Sequence, residues 1–295
     1  MLGSFGRFIP DRIKVLAQRH QIYNRYTAGR LARRARRLDL CAAQFAHLLH
    51  CVPHLGLENA RCLEIGSGWV LTHTLVCYLL GAQGVTATDI LPLAQPTFLR
   101  EAVRGSDASL VREVLSPFSE YEDIRERLSR LQQMDRFTFG TLRELGIRYV
   151  APFDLATAPP PGNCDFIYSF DVLEHVPRDK MVAVLTNLGR SLDQGGCMVH
   201  AIHTEDHRDS KEDPFAFLSE PVESYSPVSQ MMRGNRLRRN EWRSVLDLVP
   251  GITFTFLFEW YRRDKAIPER IDPSIRATDD RDLRTAYLGV MGTKQ

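Results

Sequence analysis

Read for hydrophobic period alone, the chain changes character near residue 50. Before that point Leu31, Ala35, Leu38, Ala42, Phe45 and Leu49 recur at helical spacing and predict one helix with a single apolar face. Beyond it, short apolar runs alternate with helical patterns, the order that builds a parallel sheet. Arg61 to Ile65 predicts a first strand, Val70 to Leu80 a helix and Gly84 to Ile90 a second strand, together one right-handed βαβ unit. Further strands are predicted at Arg148 to Ala151, Cys164 to Phe170, Cys197 to His203, Ile252 to Trp260 and Thr285 to Gly292, with a helix at Arg178 to Leu192. Gly195-Gly196 turns the chain into the fifth of these strands.

Two stretches exceed what a minimal sheet needs. Leu91 to Ile147 spans nearly sixty residues, where a crossover requires about a dozen. The spacing of Ile124, Leu128 and Leu131 predicts helices there, inserted as a lid. Thr204 to Asn240 is polar and rich in Pro, His and acidic residues, and reads as a long loop. Both follow strand ends of the kind that border a ligand crevice, and long loops in that position are usually functional. The chain therefore divides into a basic helical extension over residues 1–54 and one α/β domain over 55–295, with a helical insert at about 91–147 and a substrate loop at about 204–240.

Composition narrows the class. Of 295 residues, 44% are hydrophobic and 25% charged, the proportions of a globular protein rather than a disordered or collagenous one. Apolar stretches such as Leu75 to Leu80 are too short to cross a bilayer, so no transmembrane segment is expected. Met1 to Pro10 lacks the zones of a secretory signal, and the six cysteines form no CxxC pair, which together predict a cytoplasmic protein with reduced thiols. The net charge of +2 conceals an asymmetry, because residues 1–40 hold ten Arg/Lys against Asp11 and Asp39. Arg30, Arg33, Arg34, Arg36 and Arg37 are expected mostly on the wet face of the helix, leaving residues 1–29 outside any cofactor site.

The chemistry begins at Leu63-Glu64-Ile65-Gly66-Ser67-Gly68, a strand running into a turn where glycines let a backbone approach a ligand at a helix start. Leu71 occupies the position where a dinucleotide fingerprint requires its third glycine, which weighs against NAD. Asp89, 21 residues beyond Gly68, ends the second strand where a carboxylate can accept both hydroxyls of a ribose.

These motifs resemble the class I S-adenosylmethionine-dependent methyltransferases. Glu64, Gly66 and Gly68 match their ExGxG motif, and Asp89 matches the acidic residue that binds the ribose. Phe153-Asp154 matches the position that meets the adenine, and Asp165 through Ser169 to Val176 is similar to the motif beside the methyl donor. Leu192-Asp193-Gln194-Gly195-Gly196 resembles the LxPGG turn. The resemblance covers about residues 55–292. It implies a doubly wound, Rossmann-like seven-stranded sheet of order 3-2-1-4-5-7-6, S-adenosyl-L-methionine as cofactor, and Glu64, Gly66, Gly68, Asp89, Asp154 and Ser169 as cofactor-binding residues. Asn235 to Arg238, His203 and Asp206-His207 bear a finer resemblance to methyltransferases of bacterial polysaccharide and secondary-metabolite pathways.

Asp171, Glu174 and His175 are the candidate catalytic residues, sharing one face if the turn after the fourth strand is helical. His203 ends the neighbouring strand, about 4.8 Å away. Asp171, Glu174, His175 and His203 together suit a divalent cation. DxxEH resembles the ExxEH of methyltransferases that use a metal to bind neighbouring hydroxyls. The alternative is a metal-free His175 base. His200, Asp206 and His207 are spare candidates, read as loop surface rather than as ligands. The expected reaction is methyl transfer to an oxygen of a small molecule or glycan. The rivals are an RNA methyltransferase, against which stands the lack of a recognisable RNA-binding module, and a non-catalytic cofactor-binding module in a biosynthetic complex. The acceptor and the oligomeric state are not legible in the sequence.

Overall fold

The structure, a computed structural model, describes residues 10–52 and 55–294. The boundary drawn at residue 54 and the signal reading of residues 1–9 lie outside the described residues. The chain opens with α1 (Asp11–Ala17), α2 (Gln21–Ala32) and α3 (Leu38–His50). The single helix expected across Leu31 to Leu49 is therefore broken by a turn over residues 33–36, where the amides of Arg34 and Arg36 both return to the Leu31 carbonyl. The break lets the backbone carbonyl of Arg36 accept the Thr72 hydroxyl at 2.8 Å. It also frees α3 to lay Leu38, Cys41, Ala42 and Phe45 fully buried against the sheet.

The α/β framework follows in the predicted order: β1 (Arg61–Ile65), α4 (Thr72–Leu79), β2 (Gly84–Thr88), then α5 (Leu99–Arg104), α6 (Ala108–Leu115), α7 (Tyr121–Gln133) and α8 (Phe139–Glu144) before β3 (Ile147–Val150). It continues through β4 (Cys164–Phe170), α9 (Met181–Ser191), β5 (Leu192–His203), α10 (Pro227–Arg233), α11 (Arg239–Leu246), β6 (Ile252–Tyr261), α12 (Asp280–Leu283) and β7 (Thr285–Lys294). The seven strands form one sheet of order β3-β2-β1-β4-β5-β7-β6, in which only β7 runs against the others. β4 shows why the mostly apolar run Phe166 to Phe170 reads as a central strand: helices cover both faces, and every residue of that run, Ser169 included, is buried.

The insert between β2 and β3 is helical. α6 packs on α3, α7 on α4, and α8 on β3, so the insert runs down one flank of the sheet. Apolar residues at helical spacing, Ile124, Leu128 and Leu131 among them, are buried in that flank. The segment after β5 is likewise more ordered than its polarity suggests. Phe215, Phe217, Leu218, Tyr225 and Ile275 build a small core of their own, and Arg233 is locked to Asp206 in a buried ion pair, Nε to Oδ1 3.0 Å. Among the described residues no helix is long and apolar enough to cross a membrane.

Candidate active site

The strand order reverses between β1 and β4, and the crevice beyond their carboxyl ends is where an open α/β sheet receives its ligand. β1 ends in Gly66 and Gly68, both left-handed, with φ of 64° and 66°. At Gly66 a side chain is excluded twice, since a Cβ there would lie 2.5 Å from both methyls of Val172. At Gly68 a Cβ would meet nothing within 4 Å, so that glycine faces open space. Asp89 lies just past β2 and is held by two amides: Gly68 donates to Oδ2 at 2.8 Å and Leu91 to Oδ1 at 3.0 Å. Burial raises its pKa against those bonds. Phe153 donates its amide to the Asp89 carbonyl at 2.8 Å, which brings Asp154 to the same edge of the crevice.

On the floor, Glu64 is 4% exposed. Tyr168 donates to its Oε2 at 3.4 Å, and the His73 ring stands 3.7 Å from Oε1. Burial pushes the carboxyl up to about 8, with the Arg36 guanidinium opposing. Arg36 reaches His73 at 3.0 Å, so this arginine of the basic run points inward rather than into solvent. The His73 ring stacks on Phe170 at 4.3 Å. The N-terminal arm also closes over the glycine turn, because Trp69 donates its indole N–H to the buried Asn24 at 3.0 Å. Residues 1–29, expected to stand apart from the site, thus touch the residue that follows Gly68. Ser169 is fully buried, with its hydroxyl bonded to His200 at 2.8 Å. His200, fully buried, and Asp206, 1% exposed, are not loop surface as expected.

Across the crevice stand the residues named for catalysis. Only Leu173–His175 forms a helical turn, and it is 3-10; Asp171 precedes it with φ 56°. Asp171 is bonded by the Tyr287 hydroxyl, and His203 by Glu205 at 2.6 Å. Neither joins the group that converges. That group is Glu174, His175 and His207, each with one ligand atom within 4.8 Å of the others. Glu174 is 1% exposed, and burial together with the Asp171 charge raises its pKa well above the carboxylate range. Burial lowers His175 to about 3 and His207 to about 4. His207, a spare candidate set aside as loop surface because a polar loop gives no burial signal, has its amide tied to the Arg233 carbonyl at 3.2 Å, a contact across 26 residues. Beside Asp171 an aromatic wall leads outward. Phe258 stacks near Tyr287, with centroids 6.3 Å apart, and Trp260, 54% exposed, lies 5.6 Å from Tyr287.

A glycine turn and a fixed acidic residue at the switch point, on a sheet whose one reversed strand lies between β5 and β6, decide the architecture. The fold is that of the class I S-adenosylmethionine-dependent methyltransferases. No protein-family model matches the chain, and no curated protein does. Among solved structures it is similar to YcgJ from Bacillus subtilis, at 13% identity over 85% of this chain and 98% of the other, with a TM-score of 0.45. It is also similar to magnesium protoporphyrin IX methyltransferase from Synechocystis, at 13% identity over 87% and 83%, with a TM-score of 0.44. TehB from Haemophilus influenzae is 15% identical over 81% of this chain, with a TM-score of 0.41, and the chain spans 59% of its length.

Proposed function

We propose that the protein transfers a methyl group from S-adenosylmethionine to an oxygen of a small molecule or sugar. When bound, S-adenosylmethionine supplies an activated methyl on a sulfonium, and in-line transfer requires the acceptor to be held against it. One observation carries the reading: a buried carboxylate, Asp89, is fixed by the amides of Gly68 and Leu91 beside a turn with free space above its second glycine. After those bonds each Asp89 oxygen keeps a lone pair, so the carboxylate can accept both ribose hydroxyls. Glu64 would face the ammonium of the amino-acid end, and Asp154 the adenine edge. Ser169 contributes by holding His200, since its hydroxyl is already engaged.

On the other side, Asp171, Glu174 and His175 border the acceptor's hydroxyl. An imidazole with a pKa of about 3 takes up a proton poorly, so a bare His175 base is the weaker of the two versions. The wall of Tyr287, Phe258 and the exposed Trp260 suits an acceptor that carries a ring, aromatic or sugar. The test is Asp89→Ala. A hydrogen bond to a charged group contributes roughly 1.5 to 3 kcal/mol, so the affinity for S-adenosylmethionine should fall about tenfold to a hundredfold. Unchanged affinity by calorimetry removes Asp89 from the ribose site. Methyl transfer is then assayed against sugars, phenols and RNA, and transfer to RNA alone would overturn the choice of acceptor.

A further inference from the structure

Seven buried side-chain polar atoms among the described residues have no hydrogen-bond partner, and four of them belong to one cluster: both carboxylate oxygens of Glu174, Nδ1 of His175 and Nε2 of His207. Leaving buried polar groups unpaired is costly, so such groups gathered at one point call for a shared partner. His207 Nε2 stands 3.6 Å from Glu174 Oε1, too long for a hydrogen bond. We propose that Glu174, His175 and His207 together bind one divalent transition-metal ion, with zinc and iron(II) the fitting class.

The donor set supports that class. Two imidazoles and one carboxylate favour zinc, iron or cobalt, whereas magnesium and calcium prefer oxygen throughout. The Met231 backbone acts on the His175 ring and the His203 backbone on the His207 ring, the kind of outer contact that holds a metal-ligating imidazole in place. The backbones are fixed as well. Asn235 donates its side-chain amide to the carbonyls of Leu173 and Val176, at 3.1 and 3.0 Å, and its backbone amide to that of Glu174 at 2.6 Å. His207 follows Asp206, which is locked to Arg233. Three protein ligands leave coordination positions free, the arrangement of a site that also receives a substrate oxygen.

The competing account is a protonated Glu174 carboxyl that swings onto His207, and Glu174→Gln separates the two, because glutamine can still donate to the ring but is a poor metal ligand. The full chain is stripped with a chelator and titrated with Co2+ without S-adenosylmethionine, so the result stands apart from the methyl-transfer reading. One ion per chain is expected, with visible d–d absorption that Zn2+ abolishes, and a melting temperature about 5 °C higher at a hundredfold excess over Kd. Mg2+ should reproduce none of this. Glu174→Gln and His207→Ala should each weaken Co2+ by at least about a hundredfold, while metal-free Glu174→Gln melts no lower than the metal-free parent, since both Glu174 oxygens lack a hydrogen-bond partner there. No cobalt bound by the stripped parent, or equal binding by either variant, overturns the proposal. So does a Glu174→Gln variant that lowers the metal-free melting temperature, which would make the carboxyl structural.

Discussion

Glu64 should release a proton when S-adenosylmethionine binds. In the empty protein burial raises its carboxyl from 4.5 to about 8, so at pH 7 about nine-tenths of the molecules carry the proton. The raised value also fixes a stability sign. A carboxyl that binds its proton more tightly when folded stabilises the fold fully below about pH 4.5 and loses that contribution as pH rises through about 8. At 1.36 kcal/mol per pKa unit the loss amounts to at most about 5 kcal/mol. An ammonium placed against Glu64 favours the carboxylate, and a bound pKa below about 6 releases roughly 0.9 of a proton per cofactor at pH 7. The assay is calorimetric titration at pH 7 in buffers of different ionisation enthalpy, where the slope of observed heat counts protons. Glu64→Gln should remove that slope, and between pH 5 and 8 its stability should lose the part of the parent's fall that Glu64 contributes. Identical slopes for parent and variant would refute the placement of the ammonium against Glu64.

The two glycines of the turn should respond differently to alanine. Gly66→Ala meets both a left-handed φ and the Val172 methyls at 2.5 Å, costing about 2 to 5 kcal/mol of stability; adding Val172→Ala should restore only the packing part, as denaturant titration would show. Gly68→Ala, strained but unobstructed, should cost about 1 to 2 kcal/mol of stability while weakening S-adenosylmethionine tenfold or more, and unaltered affinity would mean the free space above it is not the cofactor's. Asn24→Ala leaves the Trp69 indole without its partner and should lower stability by about 1 to 3 kcal/mol and cofactor affinity several-fold; no change in either would detach the N-terminal arm from the site.

The sheet was legible because each strand carries its own local signal: short, mostly apolar runs for β1 and β4, and glycines where the chain turns. Asp89 was legible for the same reason, being fixed by its place at a strand end. The strand order came through the family resemblance and not from periodicity. What the sequence hid depends on contacts between distant segments. The turn over residues 33–36 contains no glycine or proline; it is enforced by Thr72 and His73 drawing Arg36 inward. His207 sits in a run of charged residues that reads as solvated, and it is drawn in to half-burial beside Asp206, which Arg233 neutralises. Arg236 and Arg238 are buried in the same way, with their guanidinium groups over the rings of Tyr225 and Phe217 at 4.0 and 5.6 Å. A pattern rule that assigns arginine to water cannot see an aromatic ring supplied by another segment.

The central claim is that the crevice between β1 and β4 holds S-adenosylmethionine, and equilibrium binding to the purified full chain tests it most directly. Titrated side by side with S-adenosylmethionine, its demethylated product and NAD, the protein should bind the first two at one molecule per chain and leave NAD unbound, because Leu71 stands where a dinucleotide fold needs glycine. Binding of NAD in preference to S-adenosylmethionine, or of neither, would contradict the account.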